Sequence, residues 1–278
     1  MWNATIRPLL LAAAASLLLA SCGDKDRKGA EELMARSEAE VSGGNYSGAL
    51  VLLDTLNQRY PAQTEVRRQA LRIRAKAMEG LVSDSISDVS RALAESTVAV
   101  EQWKGKFRHV ESSVGLDGYY IPEGASQKVM TATGIEPRVS EKGLFYIVAN
   151  VQKNIGLRSM TFTDGASSIS SSEISPARVV TVEGCQTASF NPEDLEGVGL
   201  WFVNHSGKGL KVIFHGSKGN ATAAVDARLR DNIVACYQYS TALRAFELAS
   251  IKREKFERML AAARDQLAKL PAEESAEK

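Results

Sequence analysis

The chain has 278 residues, with 34 Lys and Arg against 33 Asp and Glu and a formal net charge of +1. So even a balance provides no global field for nucleic acid, which excludes that class of partner. Hydrophobic residues make up 44% of the chain, enough for one large or two ordinary domain cores.

In chain order, residues 1–21 read as a signal peptide. Arg7 is the single n-region charge, and Leu9 to Leu19 is an unbroken run of apolar and small residues. That run is shorter than the roughly 20 residues a permanent membrane helix needs. It ends in Leu19-Ala20-Ser21-Cys22, which resembles the lipobox of bacterial lipoproteins. The resemblance implies lipid transfer to the Cys22 sulfur, cleavage before Cys22 and a membrane anchor there. Several acyl chains would hold far better than one, since each buried methylene contributes about 0.8 kcal/mol. Residues 22–28 then form a charged, flexible lipidated tether. Gly23 rather than an aspartate after the cysteine resembles outer-membrane sorting, facing the periplasm or the cell surface. The pair Asp24 and Asp26 loosely resembles surface-export signals.

Residues 29–107 read as helical. Gly44, Tyr46, Ala49 and Pro61 are spaced as in a tetratricopeptide repeat, and Leu33 and Ser37 fill the expected positions of the preceding helix. Glu40 stands where the repeat usually has an aromatic. The resemblance covers about one and a half repeats, and a solenoid groove needs about three. It therefore implies a helical hairpin capping a longer helix. That third helix starts with Val66, Ala70, Ile73 and Ala77. It continues along a seam of Ile86, Val89, Leu93, Val100, Trp103 and Phe107, with Ser96 in the missing place. Gly80 and Ser85 could break and restart it. Arg67, Arg68, Arg72, Arg74 and Lys76 mostly project away from the apolar stripe and form a candidate surface for anionic lipid or an acidic partner. The competing reading is a solvated helix face.

Residues 108–225 hold most of the glycine and the β-branched runs, and read as an antiparallel sandwich or barrel. Expected strands are 144–151 and 178–182, a hairpin of 200–205 with 210–215, and weaker strands at 128–133 and 158–163. Continuous apolar runs predict that some strands are covered on both faces. Tyr119, Tyr120 and Trp201 are candidates for stacking on sugar rings, weighed against a core role. Residues 226–270 form a returning long helix with an apolar face that includes Leu229, Ile233, Cys236, Tyr237, Phe246, Ile251 and Ala263. Residues 271–278 are an acidic tail. The fold class is thus α+β: a helical hairpin plus a long antiparallel, coiled-coil-like helix pair, with the β-domain inserted between the two long helices.

The chain carries no metalloprotease, nucleophile-elbow, phosphate-loop or dinucleotide motif. His205 and His215 at the ends of the expected hairpin, with Cys185 or Glu183, are a zinc set on paper only, and exposed strand-end histidines are the favoured alternative. Glu193, Asp194 and Glu196 read as a solvated acidic loop rather than half of a glycosidase pair or a calcium site. Cys185 and Cys236 could pair in an oxidising compartment. One lies in a strand-like stretch and the other on a helix, which favours two free thiols. No cofactor and no enzyme activity are expected. The expected partners are a membrane, through the Cys22 lipid, and an envelope protein, with a glycan as the alternative ligand.

Overall fold

The computed structural model describes residues 7–111, 117–125, 131–205 and 209–270, with side chains from residue 24 onward. The side chain of Cys22 and the tail 271–278 lie outside the described residues. Among the described residues, no helix is long and apolar enough to cross a membrane. The chain divides into two compact units, residues 1–91 with 250–278 and residues 92–249, and the division falls inside two long helices.

The first unit is helical. Helix α1 (Arg7–Ser42) continues through residues 24–28, where the composition suggested a flexible tether. No proline interrupts that stretch, and Arg27 pairs with Glu31 one turn on at 2.9 Å. Gly44 turns the chain with φ of 78°, a left-handed value that glycine adopts without a β-carbon penalty. Asn45 caps α2 (Tyr46–Arg59) by accepting from the Gly48 N–H at 3.1 Å. Its amide nitrogen also donates to Glu40 at 2.6 Å, so Glu40 ties the turn where the repeat pattern usually has an aromatic. Ala49 is fully buried, as the close helix approach requires. Helix α3 (Thr64–Glu101) runs unbroken through Gly80, where a β-carbon would strike the Tyr46 ring. Ser85 donates to the Leu81 carbonyl at 2.8 Å within the helix rather than capping a new one. Ala30, Leu53, Leu56, Val66, Ala70 and Ile73 form this unit's core.

The other unit carries the strands. Helix α3 ends at Glu101, and the residue expected to close its seam, Phe107, instead opens β1 (Phe107–Val110). The strands that follow are β2 (Tyr119–Pro122), β3 (Gly134–Ser140), β4 (Phe145–Val151), β5 (Leu157–Thr163), β6 (Ser168–Ser170), β7 (Val179–Val182) and β8 (Cys185–Phe190). Helix α4 (Val198–Asn204), β9 (Lys211–Gly216), β10 (Gly219–Ala224) and helix α5 (Ala227–Lys269) complete the chain. The strands form two antiparallel sheets, ordered β1-β2-β3-β4-β8-β7 and β10-β9-β5-β6. Neither closes, so the barrel alternative is excluded. Strand β4 is buried along most of its length on both faces, as its continuous apolar run predicts.

The expected hairpin of 200–205 with 210–215 is not formed. Residues 198–204 are helical, and β9 pairs with β10 instead, Gly216 opposite Gly219. The strand expected at 128–133 falls partly outside the described residues, and the observed strand starts at Gly134. One core cluster draws on both sheets and on α4 and α5, with Phe162, Phe190, Phe202 and Phe214 fully buried. Helix α5 buries Ile233 and Cys236, but Ile251, expected on the same face, is 56% exposed.

In the first unit Arg264 of α5 donates to Glu79 of α3 at 2.8 Å, and Arg72 donates to the Leu270 carbonyl at 3.2 Å. In the other unit the Trp103 ring lies 6.3 Å from Tyr239.

Candidate functional site

The clearest polar grouping is on one face of the six-stranded sheet. Alternation along β3 buries Ile135, Pro137 and Val139 and turns Glu136 and Arg138 to the opposite face. Register places Arg138 opposite Tyr146 on β4. Arg138 Nε donates to Glu136 at 2.6 Å, and the guanidinium lies 4.0 Å from the centre of the Tyr119 ring, a cation–π contact. Burial works against the Arg138 charge, but Glu136 outweighs it and holds the guanidinium pKa above its ordinary value. Burial likewise raises the Tyr146 hydroxyl, against the opposing pull of Arg138. The result is a half-buried platform of two phenols, one guanidinium and one carboxylate, with the ionic charges internally matched. Such a set can present hydroxyls and an aromatic ring to a neutral polyol.

Two aromatics singled out in the sequence pack into the core. Tyr120 meets Tyr239 edge-on at 5.9 Å and His109 at 5.1 Å. Trp201 stacks on His205 at 4.2 Å and meets Phe202 edge-on at 5.1 Å. Only Tyr119 joins the platform. Its partners Arg138 and Tyr146 belong to no motif, and only the period-2 alternation of 134–140 marks Arg138 in the sequence.

The four arginines of the basic run 67–76 in α3 are engaged by other groups of the chain. Arg67 donates to Asn57 and to the Pro61 carbonyl, Arg68 to Glu65, Arg72 to the Leu270 carbonyl and Arg74 to Asp54. Lys76 is exposed on the same helix. Arg68 and Arg74 are ion-paired with Glu65 and Asp54, while Arg67 bonds to neutral acceptors and keeps its charge, and Arg72 meets the neutral Leu270 carbonyl.

The histidines have separate partners. The Trp201 carbonyl can only accept, so His205 Nδ1 carries a proton and donates to it at 2.8 Å. His205 Nε2 lies 3.1 Å from the Ser167 hydroxyl, latching the β5–β6 turn to the end of α4. His215 Nε2 meets Thr161 Oγ1 at 2.9 Å. Among the described residues, no group of three or more His, Cys, Asp or Glu could hold a metal ion. The acidic loop also departs from its solvated reading, because Asp194 is buried and accepts both guanidinium nitrogens of Arg178, at 3.1 and 2.6 Å.

Cys185 and Cys236 are free thiols. Burial pushes the Cys236 pKa far up, and its thiolate is suppressed. Cys185 is half-buried and donates to Gln152 at 3.1 Å. A maleimide added to the folded protein at neutral pH should therefore modify Cys185 and leave Cys236 intact until denaturant is added. Mass spectrometry of the two peptides reads this directly, and early labelling of Cys236 would show that α5 opens.

No family model, curated protein or solved structure matches this chain.

Proposed function

We propose that the chain is a cell-envelope lipoprotein, anchored through Cys22, that acts as a non-catalytic scaffold or adaptor for another protein. The anchor places it at the outer membrane, facing the periplasm or the cell surface. In this reading α3 and α5 form a coiled-coil-like antiparallel pair, the two sheets form a sandwich, and the helical hairpin docks the partner. The observation that carries it is an open groove of about 370 Å³ on the hairpin, lined by Arg36, Glu40, Asn45, Ser47, Val51 and Leu52. Val51 is 64% exposed there, an apolar contact point between charged and polar neighbours.

Chemical crosslinking in intact cells, followed by purification, tests this with the wild type, Cys22→Ala and Val51→Glu. The expected result is one stoichiometric protein partner for the wild type and none for Val51→Glu, with Cys22→Ala lost from the membrane fraction. A partner captured equally by Val51→Glu would overturn the groove assignment. Turnover of an envelope substrate abolished by one point substitution would overturn the non-catalytic reading.

The Tyr119–Arg138–Tyr146 platform favours a second reading, in which the β-rich unit binds a glycan or cell-wall fragment. Calorimetry with envelope glycans on the wild type and Tyr119→Ala distinguishes the two, since only this reading expects heat that the substitution removes.

A further inference from the structure

Among the described residues, four strands lie at sheet edges: β1, β7, β10 and β6. Most carry a feature that discourages pairing. Strand β1 presents Arg108 and His109, β6 has only three residues, and β10 lies against β3. Strand β7 differs. It reads Val179-Val180-Thr181-Val182, without charge, proline or bulge, and Val180 and Val182 are each 62% exposed.

The turn after β7 shows which backbone groups are unused. Glu183 and Gly184 have φ of 48° and 83°, the pair of positive values that marks a type I′ turn. Such a two-residue hairpin closes on a hydrogen-bonded pair, here Val182 with Cys185. Bonded and non-bonded pairs alternate along an antiparallel ladder. Val182 and Val180 therefore direct their amides and carbonyls at β8, whereas Thr181 directs both of its groups outward. Val179, the other outward residue, already gives its N–H to the Pro176 carbonyl. Thr181 is thus the centre of the open edge.

We propose that this edge pairs with the β7 edge of a second copy of the chain, across a two-fold axis at Thr181. The segment Val180-Thr181-Val182 reads the same in both directions, so antiparallel self-pairing is self-complementary. Thr181 exchanges both backbone bonds with Thr181 of the second copy. Val180 then stands opposite Val182 of the second copy, and Val182 opposite its Val180. Both pairs are of the non-hydrogen-bonded kind, in which side chains approach most closely, with Cα atoms about 4.5 Å apart. The valines share the sheet face that also carries Thr187 and Cys185, their partners on β8, so this face continues from one copy into the other. No like charges oppose one another within the four-residue strand.

The contact is small. Four residues span about 13 Å, well below what fills a standard interface of about 800 Å² per partner. Association is accordingly weak and concentration-dependent. It does not depend on the lipid anchor or on the scaffold reading, and its test uses chain in which the anchor cysteine is replaced.

The experiment uses purified full chain carrying Cys22→Ser and Cys185→Ser, with Thr181→Cys added. Opposed bonded residues have Cα atoms about 5.5 Å apart, within disulfide range. Mild oxidation should give a covalent dimer for Thr181→Cys. It should give little for Leu200→Cys, an exposed control off the edge. Sedimentation of the wild type should show mass rising with concentration, and Val180→Lys should remove that rise while leaving the circular dichroism unchanged. Crosslinking of Thr181→Cys no faster than of the Leu200→Cys control, a monomer at every concentration, or self-association that Val180→Lys leaves intact would each overturn the proposal.

Discussion

Replacing Phe202 with alanine is expected to destabilise the β-rich unit by about 3–5 kcal/mol, the range for deleting a fully buried phenylalanine. Phe202 has no exposed surface and meets Phe162 edge-on at 5.0 Å and Trp201 at 5.1 Å. With Val198, it carries the short α4 into a core shared by both sheets. Seven residues of helix cannot hold themselves together in water, so α4 depends on that docking. Urea unfolding followed by far-UV circular dichroism measures the loss. A change below about 1 kcal/mol would mean that α4 is not packed as described. Leu200→Ala is the control, because Leu200 is exposed on the same helix and should change stability by less than about 0.5 kcal/mol.

Asp194→Ala is the second large effect, at about 2–3 kcal/mol. Asp194 accepts both terminal guanidinium nitrogens of Arg178, and also the Asn191 N–H at 2.7 Å. Removing the carboxylate strips Arg178 of its ionic partner, leaving it only the Ser189 carbonyl at 2.8 Å, and strands the Asn191 N–H. The Arg178 side chain keeps 32% of its surface in water, which places the cost toward the lower end for a broken buried pair. Asp194→Asn retains an acceptor and should cost less. The same denaturation experiment ranks the two, and equal losses would show that the charge contributes nothing beyond shape.

Much of the helical architecture was legible in the sequence because its signals are local. Gly44 and the α3 periodicity need only their own neighbourhood, and Ser96 on the expected seam is buried. Strands β4 and β7 were legible for the same reason, as β-branched runs between turns. The α4 segment was not. A short apolar run fits a strand or a buried helix equally well, and the i, i+4 spacing of Val198 and Phe202 was the signal that favoured helix. The misplaced hairpin followed from that, because 200–205 became unavailable and β9 found β10. The Arg178–Asp194 pair joins residues 16 apart across a turn and a hairpin, which no periodicity reports. The platform was only partly visible. Tyr119 stands out by its ring, but Arg138 matters only through the register that brings it beside Tyr146.

The division inside α3 and α5 has a consequence for the order of folding. The β-rich unit is one continuous stretch, 92–249, and is complete before the last part of the chain has been made. The helical unit needs both ends of the sequence, since Glu79 awaits Arg264 and Arg72 awaits the Leu270 carbonyl. Its closing contacts are among the most distant in the chain, so they carry a large loop-closure cost unless the intervening stretch has already folded. The α1–α3 core, drawn from residues 30 to 73, can form early, whereas these contacts of α3 stay open through most of synthesis. A chain stalled before residue 264 would display a finished β-rich unit and a helical core whose α3 still lacks these late contacts, a state more exposed to proteolysis and misassembly than the full chain.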